Sequence, residues 1–112
     1  MKLWIDDVRP APEGYVFCNS VNEAIETIEL AESFCFYNPT TEEERRVVIE
    51  LIDIDHDAGD YASDGGDYIK LLDWLEETGR NYPIRIHSQN VVGRENMRRI
   101  IKRNGWKEVF DL

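Results

Sequence analysis

Short apolar runs separated by polar turns divide the chain into segments that alternate between strand and helix spacing. Apolar runs flanked by turn residues predict strands at 2–5, 15–18, 47–55, 83–86 and 106–110. Apolar residues at helical spacing predict helices that begin at residue 20 and cover 67–78 and 93–102. Ser20, with Glu23 three residues later, has the pattern of a capping box and is the predicted N-cap. The stretch 8–14 holds two prolines and a glycine, which predicts a loop.

This order of elements predicts the fold class. Strands that alternate with helices are typical of an α/β domain with a parallel sheet. The nearly continuous apolar run at 47–55 favours a strand that is buried on both faces. We therefore predict a three-layer α/β sandwich around a mostly parallel five-stranded sheet. The stretch 34–46 is less regular: 34–37 fits a strand or the end of the preceding helix, and Thr41 is placed to begin another helix after a turn.

Composition and charge limit the classes of protein that fit. The chain has 112 residues, of which 42% are hydrophobic, as expected for one domain with a sizeable core. It holds no apolar run long enough to span a membrane and no secretory leader, so we expect a cytoplasmic protein. Cys18 and Cys35 lack metal-ligand spacing and are predicted to be reduced core thiols. The formal net charge of −10 opposes extended nucleic-acid binding and anionic membranes, but it is compatible with a small phosphorylated ligand in a locally basic pocket.

Polar residues capable of chemistry follow three of the predicted strands. Asp6 and Asp7 follow the first strand, 55–57 ends the central strand, and His87 and Ser88 follow the next one. Because the carboxyl ends of parallel strands meet at one edge of a sheet, we expect these side chains to lie close together. Carboxylates from adjacent strands are the oxygen ligands that Mg²⁺ takes, with Mn²⁺ and Ca²⁺ as alternatives. The predicted metal ligands are Asp6, Asp7, Asp55 and Asp57.

Histidines and basic residues at the same edge favour chemistry on a phosphate ester. The two histidines of the chain, His56 and His87, both follow strands on the same side of the sheet. Imidazoles titrate near neutral pH and can pass protons to and from a phosphate ester, so both are predicted to be catalytic. Each group also has a structural alternative, because acids can end a strand, a histidine can satisfy a buried partner, and a basic helix face can be solvated. The predicted phosphate ligands are Ser88, Arg9, Arg94 and Arg98.

The layout of these residues resembles the receiver domain of two-component signalling. An acid pair follows the first strand, an acid follows the central strand and a hydroxyl follows the next one. The resemblance implies that Asp6 and Asp7 hold Mg²⁺, that Asp55 accepts a phosphoryl group as a catalytic residue, and that Ser88 contacts that group. The chain departs from the receiver pattern in two places. A loop takes the place of the first helix, and Lys107 stands at the start of the last predicted strand where a receiver has a lysine after it.

Four strings bring the chain closer to one variant of the receiver domain. They are Leu3-Trp4-Ile5-Asp6-Asp7-Val8-Arg9-Pro10, Asp55-His56-Asp57-Ala58-Gly59, Ile86-His87-Ser88-Gln89-Asn90 and Gly93-Arg94-Glu95-Asn96-Met97. Together they are similar to the receiver-like family named for cyclic-phosphate processing. The similarity implies a receiver/flavodoxin-like fold with the first helix reduced to a loop. It covers most of a single domain over 1–112, in which 34–46 reads as an insertion.

The resemblance and the residues together support one favoured function and two alternatives. The favoured one is a metal-assisted phosphoesterase that processes a cyclic or terminal phosphate of a nucleotide or an RNA end. The first alternative is a degenerate receiver domain that is phosphorylated on Asp55. The second is a module that binds metal and nucleotide without turnover. The sequence leaves the oligomeric state and the order of proton transfer between the two histidines open.

Overall fold

The computed structural model describes residues 1–41 and 43–110, and for 35–38 and 43–45 it describes the backbone alone. The helices of the described chain are α1 (Val21–Ser33), α2 (Ile69–Glu77) and α3 (Val91–Asn104), with a short 3₁₀ helix at Gly59–Ser63. The strands are β1 (Lys2–Ile5), β2 (Tyr15–Cys18), β3 (Cys35–Asn38), β4 (Glu43–Arg46), β5 (Leu51–Ile54) and β6 (Ile84–Ile86).

The main sheet is parallel and confirms the predicted α/β class. Its strand order is β2-β1-β5-β6, and each neighbouring pair runs in the same direction. It has four strands among the described residues rather than the predicted five. The predicted last strand at 106–110 forms one isolated bridge, between Ile84 and Glu108, beside β6. The central strand is also shorter than predicted, because pairing with β1 begins only at Leu51 and pairing with β6 only at Ile52.

The direction of the connections decides which face of the sheet the helices cover. β2 lies on one side of β1, at the edge of the sheet. β5 and then β6 lie on the other side of β1, so the later connections cross the sheet in the opposite sense to the first one. Right-handed crossovers therefore place α1 and α2 on one face and the β1–β2 connection on the other. α3 packs against α2, and buried residues of all three helices share one core cluster with alternate strand residues. In the described part of the chain the helices thus form one layer, where the sequence predicted two. The strand residues of that cluster are Leu3, Ile5, Cys18, Ile52, Ile54 and Ile84.

The opposite face of the sheet carries a different set of side chains. Trp4, Asp53 and Arg85 occupy matching positions of β1, β5 and β6, and they alternate with the core residues. The β1–β2 connection passes over this face, because Trp4 Nε1 donates a hydrogen bond of 3.0 Å to the carbonyl of Arg9. The loop that replaces the first helix therefore covers polar residues of the sheet rather than an apolar core.

Within the stretch 34–46, residues 35–38 and 43–46 pair as an antiparallel hairpin that is separate from the main sheet. β3 pairs with β4 in a two-stranded sheet of its own. The prediction of a helix that begins at Thr41 was wrong, since β4 occupies its first turns.

Cys18 is a buried free thiol, and burial raises its pKa to about 11. The prediction for Cys35 concerns a side chain outside the described part of the structure.

Capping side chains set the helix boundaries. α1 begins after Ser20 as predicted, and Ser20 Oγ accepts the N–H of Glu23 at 3.1 Å. α2 begins at Ile69 rather than 67, because the Asp67 carboxylate accepts the N–H of Ala58 instead of capping the helix. α3 begins at Val91 because the side chain of Asn90 caps it.

None of the described helices is long and apolar enough to cross a lipid bilayer.

Replacing Ser20 with alanine should lower the free energy of unfolding by about 1–2 kcal/mol. The variant loses the cap of α1 and the 2.7 Å hydrogen bond that Ser20 Oγ donates to Asp64. Urea denaturation measures the change. Ser33→Ala is the matched control, because the Ser33 hydroxyl is exposed and donates to the Leu30 carbonyl at the far end of the same helix. We expect that control to lose less than about 0.5 kcal/mol, and equal losses would contradict the capping role.

Candidate functional site

Three side chains from adjacent strands converge at the carboxyl edge of the sheet. Asp6 follows β1, Asp55 follows β5 and His87 follows β6, so the order β1-β5-β6 brings their positions side by side. Each offers one ligand atom, and these atoms all lie within 4.8 Å of one another. Two carboxylate oxygens and an imidazole nitrogen in this arrangement fit a divalent cation.

His87 lies between two buried carboxylates. Its Nε2 is 2.8 Å from Asp6 Oδ2, and its Nδ1 is 2.7 Å from Asp53 Oδ1. The side chain of His87 is 5% exposed, and those of both aspartates are fully buried. Each contact is a hydrogen bond that engages one ring nitrogen with one carboxylate. Neither ring nitrogen is free to exchange a proton with a ligand while both contacts hold.

Asp53 is a site residue that was not predicted from the sequence. It lies inside β5, and Arg85 occupies the matching position of β6. Arg85 Nη1 donates to Asp53 Oδ2 at 3.1 Å, so the buried carboxylate is paired with Arg85 on one side and with His87 on the other. The signal was present in the sequence, because both strands place one charged residue between two isoleucines. Buried charges require partners, and opposite charges in neighbouring strands can supply them.

Trp4 and the β1–β2 loop hold the His87 ring from the side. The rings of Trp4 and His87 are stacked, with centroids 3.9 Å apart and planes inclined by 3°. The carbonyl of Arg9 accepts the indole N–H, and Arg9 Nη1 donates to the carbonyl of His87 at 3.3 Å. The orientation of the imidazole is therefore fixed by its hydrogen bonds at both nitrogens and by an aromatic face.

The two acids that follow β1 have pKa values shifted in opposite directions. Burial would raise the pKa of Asp6, but the N–H groups of Val8 and Arg9 and the contact with His87 lower it below its ordinary value. Burial raises the pKa of Asp7, and the nearby charges of Asp6 and Asp55 raise it further. Asp6 and Asp55, which were predicted as metal ligands together with Asp7, thus lie close enough to Asp7 to raise its pKa.

His56 lies on the helix side of the same edge. Its Nδ1 is 3.0 Å from Asp57 Oδ1, and Asn90 Nδ2 donates to the same carboxylate at 3.3 Å. The hydrogen bond with His56 contributes most to lowering the pKa of Asp57, and the hydrogen bond from Asn90 lowers it further. When Nδ1 donates to Asp57, the lone pair of the ring lies on Nε2, which makes no hydrogen bond to any described residue. Asp57, predicted as a metal ligand, lies outside the group of Asp6, Asp55 and His87 and orients His56 instead.

Gly93 leaves the space that the His56 ring occupies. It lies in the first turn of α3, and its N–H donates to the capping side chain of Asn90 at 2.9 Å. A Cβ at this position would lie 2.5 Å from Cγ and 2.6 Å from Cδ2 of His56. The imidazole therefore rests against the backbone of α3, where any other residue would place a side chain.

The predicted phosphate ligands separate into two groups. Ser88 is buried, and its Oγ accepts the N–H of Asn90, which leaves the hydroxyl proton for another acceptor. Arg94 Nη1 reaches the carbonyl of Ser88 at 3.5 Å, and Arg9 Nη1 donates to the carbonyl of His87 at the same edge. Arg98 is not brought to this edge, because it forms a two-point ion pair with Glu108 beside the opposite end of β6.

Comparison with known proteins gives one match. The model of a family described as the cyclic-phosphate processing receiver domain matches residues 1–103. No curated protein and no solved structure matches the chain. The matched range includes β1, β5 and β6 and each residue of the edge described above.

A methyl group at position 93 should act through His56. Alanine in place of a helical glycine ordinarily stabilises a protein by about 0.5–1 kcal/mol. Because the Gly93→Ala methyl would overlap the His56 ring, we expect this variant to lower the free energy of unfolding instead. Thermal denaturation measures the effect in wild type and in a His56→Ala background, where the overlap is absent and the ordinary stabilisation should return. The same loss in both backgrounds would contradict the contact.

Proposed function

The chain belongs to the cyclic-phosphate processing receiver domain family, and from its site we propose that it is a metal-assisted phosphoesterase. The proposed reaction is hydrolysis of a cyclic or terminal phosphate on a nucleotide or an RNA end. The observation that supports it most is the convergence of Asp6, Asp55 and His87 within 4.8 Å. Beside this group stands His56, a histidine with an open ring nitrogen.

Asp6 and Asp55 are the proposed ligands of a divalent cation. Asp7, also predicted as a ligand, lies outside the group of donor atoms within 4.8 Å, and its carboxylate lies beside Gly59 instead. A bound cation at this position would polarise the phosphoryl oxygens of the substrate. The donor set fits, because the carboxylates come from adjacent strands that hold them in place and their mutual repulsion falls when a cation binds. Mg²⁺ is the cation that receiver domains commonly take.

His56 is the proposed proton-transfer group. Its Nδ1 is tied to Asp57, so its Nε2 can accept a proton from an attacking water. In that step the water oxygen forms a bond to phosphorus and the ester P–O bond breaks. The proton accepted by His56 then passes to the leaving oxygen, which restores the neutral ring. Of the two histidines predicted to be catalytic, His56 suits this step better, because both nitrogens of His87 are engaged.

Three predicted ligands remain suited to the phosphate. Arg9 and Arg94 lie at the edge with Ser88, and two guanidinium groups supply the positive charge that a phosphate requires. These two guanidinium groups also offset part of the negative charge that a chain of net charge −10 presents to an anionic substrate. Arg98 is not among the proposed phosphate ligands, since its guanidinium already forms an ion pair with Glu108.

A divalent cation should stabilise the folded protein through Asp55. At a concentration one hundred times its dissociation constant, the cation should add about 2.7 kcal/mol to the free energy of unfolding. The melting temperature with and without Mg²⁺ or Mn²⁺ measures this gain in wild type, in Asp55→Asn and in Asp73→Asn. Asp73 is the control, because it lies on α2 and is paired only loosely with Lys70. Equal gains in all three proteins would contradict a site at the edge.

Replacing His56 with glutamine should remove turnover and keep the cation site. We expect hydrolysis of a 2′,3′-cyclic nucleotide to slow by about 10²- to 10⁴-fold, because general acid–base catalysis contributes that much. Product formation is followed by chromatography, and the cation-dependent rise in melting temperature serves as the internal control. Undiminished turnover in His56→Gln would contradict the assignment. A phosphoryl adduct on Asp55 after incubation with acetyl phosphate would favour the receiver alternative, and binding with no product in wild type would favour the binding module.

A further inference from the structure

We infer that the cation site uses His87 Nε2 as a nitrogen ligand, with Asp53 as the residue that positions it, and that the site therefore prefers transition-metal cations to Mg²⁺. The inference rests on the proposed function, because it concerns the cation of that same site. It goes further in naming a ligand and a class of metal that an all-carboxylate site would not select.

The first observation is the pattern of hydrogen bonds around the imidazole. A metal-binding histidine usually donates its other ring N–H to a carboxylate, which fixes the tautomer and makes the ligating nitrogen more basic. His87 has that pattern: Nδ1 lies 2.7 Å from Asp53 Oδ1, and Nε2 points to Asp6 at the edge. Asp53 lies inside β5, away from the edge, so its position suits an outer partner of the ligand rather than a ligand.

The second observation is how firmly this pair is held. The Asp53 side chain is fully buried, and its second oxygen takes the Arg85 guanidinium at 3.1 Å. Trp4 covers one face of the imidazole. A ring that is stacked and hydrogen-bonded in this way keeps Nε2 directed at the acidic group. Little reorganisation is then required when a cation binds.

The third observation is the spacing between the donor atoms. Two ligands at about 2.1 Å from an octahedral metal and at right angles to each other lie about 3.0 Å apart. His87 Nε2 and Asp6 Oδ2 lie 2.8 Å apart, close to that spacing. A cation would take the place of the proton that these two atoms share, and that proton would leave to solvent.

The donor set then determines the class of metal. Mg²⁺ takes oxygen ligands and keeps several waters, and an imidazole adds little to its binding. First-row transition cations accept imidazole nitrogen readily, and their affinity for mixed nitrogen and oxygen sites rises along the series from Mn²⁺ towards Cu²⁺. A site made of Asp6, Asp55 and His87 should therefore bind Mn²⁺ or Co²⁺ better than Mg²⁺.

Electron paramagnetic resonance of Mn²⁺ tests the nitrogen ligand directly. The chain has two histidines, so the full-length His56→Gln protein labelled with ¹⁵N-histidine carries the label at His87 alone. Pulsed measurements on the Mn²⁺-loaded protein should show the hyperfine coupling of a directly bound ¹⁵N. The coupling should be absent from an unlabelled sample. Bound Mn²⁺ without that coupling in the labelled protein would overturn the inference.

Calorimetric titration tests the role of Asp53 and the preference among metals. We expect Asp53→Asn to weaken Mn²⁺ binding by about 10- to 100-fold, as is usual for the partner of a ligating histidine. Mg²⁺ binding should change by less than about threefold, because the change acts through the imidazole. His56→Gln is the matched control, since it removes the other histidine and should alter neither affinity. Circular dichroism confirms that each variant is folded, and the resonance measurement needs no change at Asp53 or His87.

The outcomes separate this inference from the proposed function. If neither Mg²⁺ nor Mn²⁺ binds, the proposed cation site fails, and the inference fails with it. If both bind with an Asp55-dependent effect but Mn²⁺ shows no ¹⁵N coupling and no sensitivity to Asp53→Asn, the phosphoesterase proposal stands and the nitrogen ligand is wrong. A coupled nitrogen with no turnover on any phosphate ester would support the metal site and count against the reaction.

Discussion

The carboxyl edge of this protein depends on the pairing of buried charges across three adjacent strands. Asp6, Asp53 and His87 belong to the ends or interiors of β1, β5 and β6, and their side chains are almost fully enclosed. A charge removed from water in this way costs several kcal/mol unless its partners are in place. A strand that slipped by one residue would turn its charged member to the other face. The pairing therefore fixes the register of the sheet as well as the geometry of the edge.

The topology divides the edge into two sides with different chemistry. Asp55 lies on the same face of the sheet as Asp53 and Trp4, which is the face that the β1–β2 loop covers. The other candidate cation ligands lie there too. His56, one residue later, turns to the helix face and meets the first turn of α3 at Gly93. The alternation of side chains along one strand end thus places an acid and a base close together but in separate surroundings. One is enclosed by charges, and the other has an open ring nitrogen.

The sequence was sufficient for the class of fold and for bringing Asp6, Asp55 and His87 to one edge, because alternating apolar runs and polar strand ends carry that information locally. It was insufficient where the outcome depended on tertiary contacts. The handedness of the connections, and with it the single helix layer, follows only from the strand order. The role of Asp53 required the pairing with Arg85 across the sheet. The ion pair of Arg98 with Glu108 joins α3 to a residue that bridges the first residue of β6, and spacing along the helix alone could not reveal it. Among the described residues, the strands at 35–38 and 43–46 pair with each other and not with the main sheet, so the pattern of the main sheet gave no guide to them.

The loop between β1 and β2 has a consequence for the entropy of ligand binding. Arg9 is fastened at three points: its N–H to Asp6, its carbonyl to the Trp4 indole, and its guanidinium to the His87 carbonyl. Ordering a backbone residue costs about 1–2 kcal/mol, and here that loss is part of folding rather than of binding. A ligand at this edge would meet a loop that is already in place. A ligand of few atoms, which has little contact area to offset the ordering of a mobile loop, can then still bind with useful affinity.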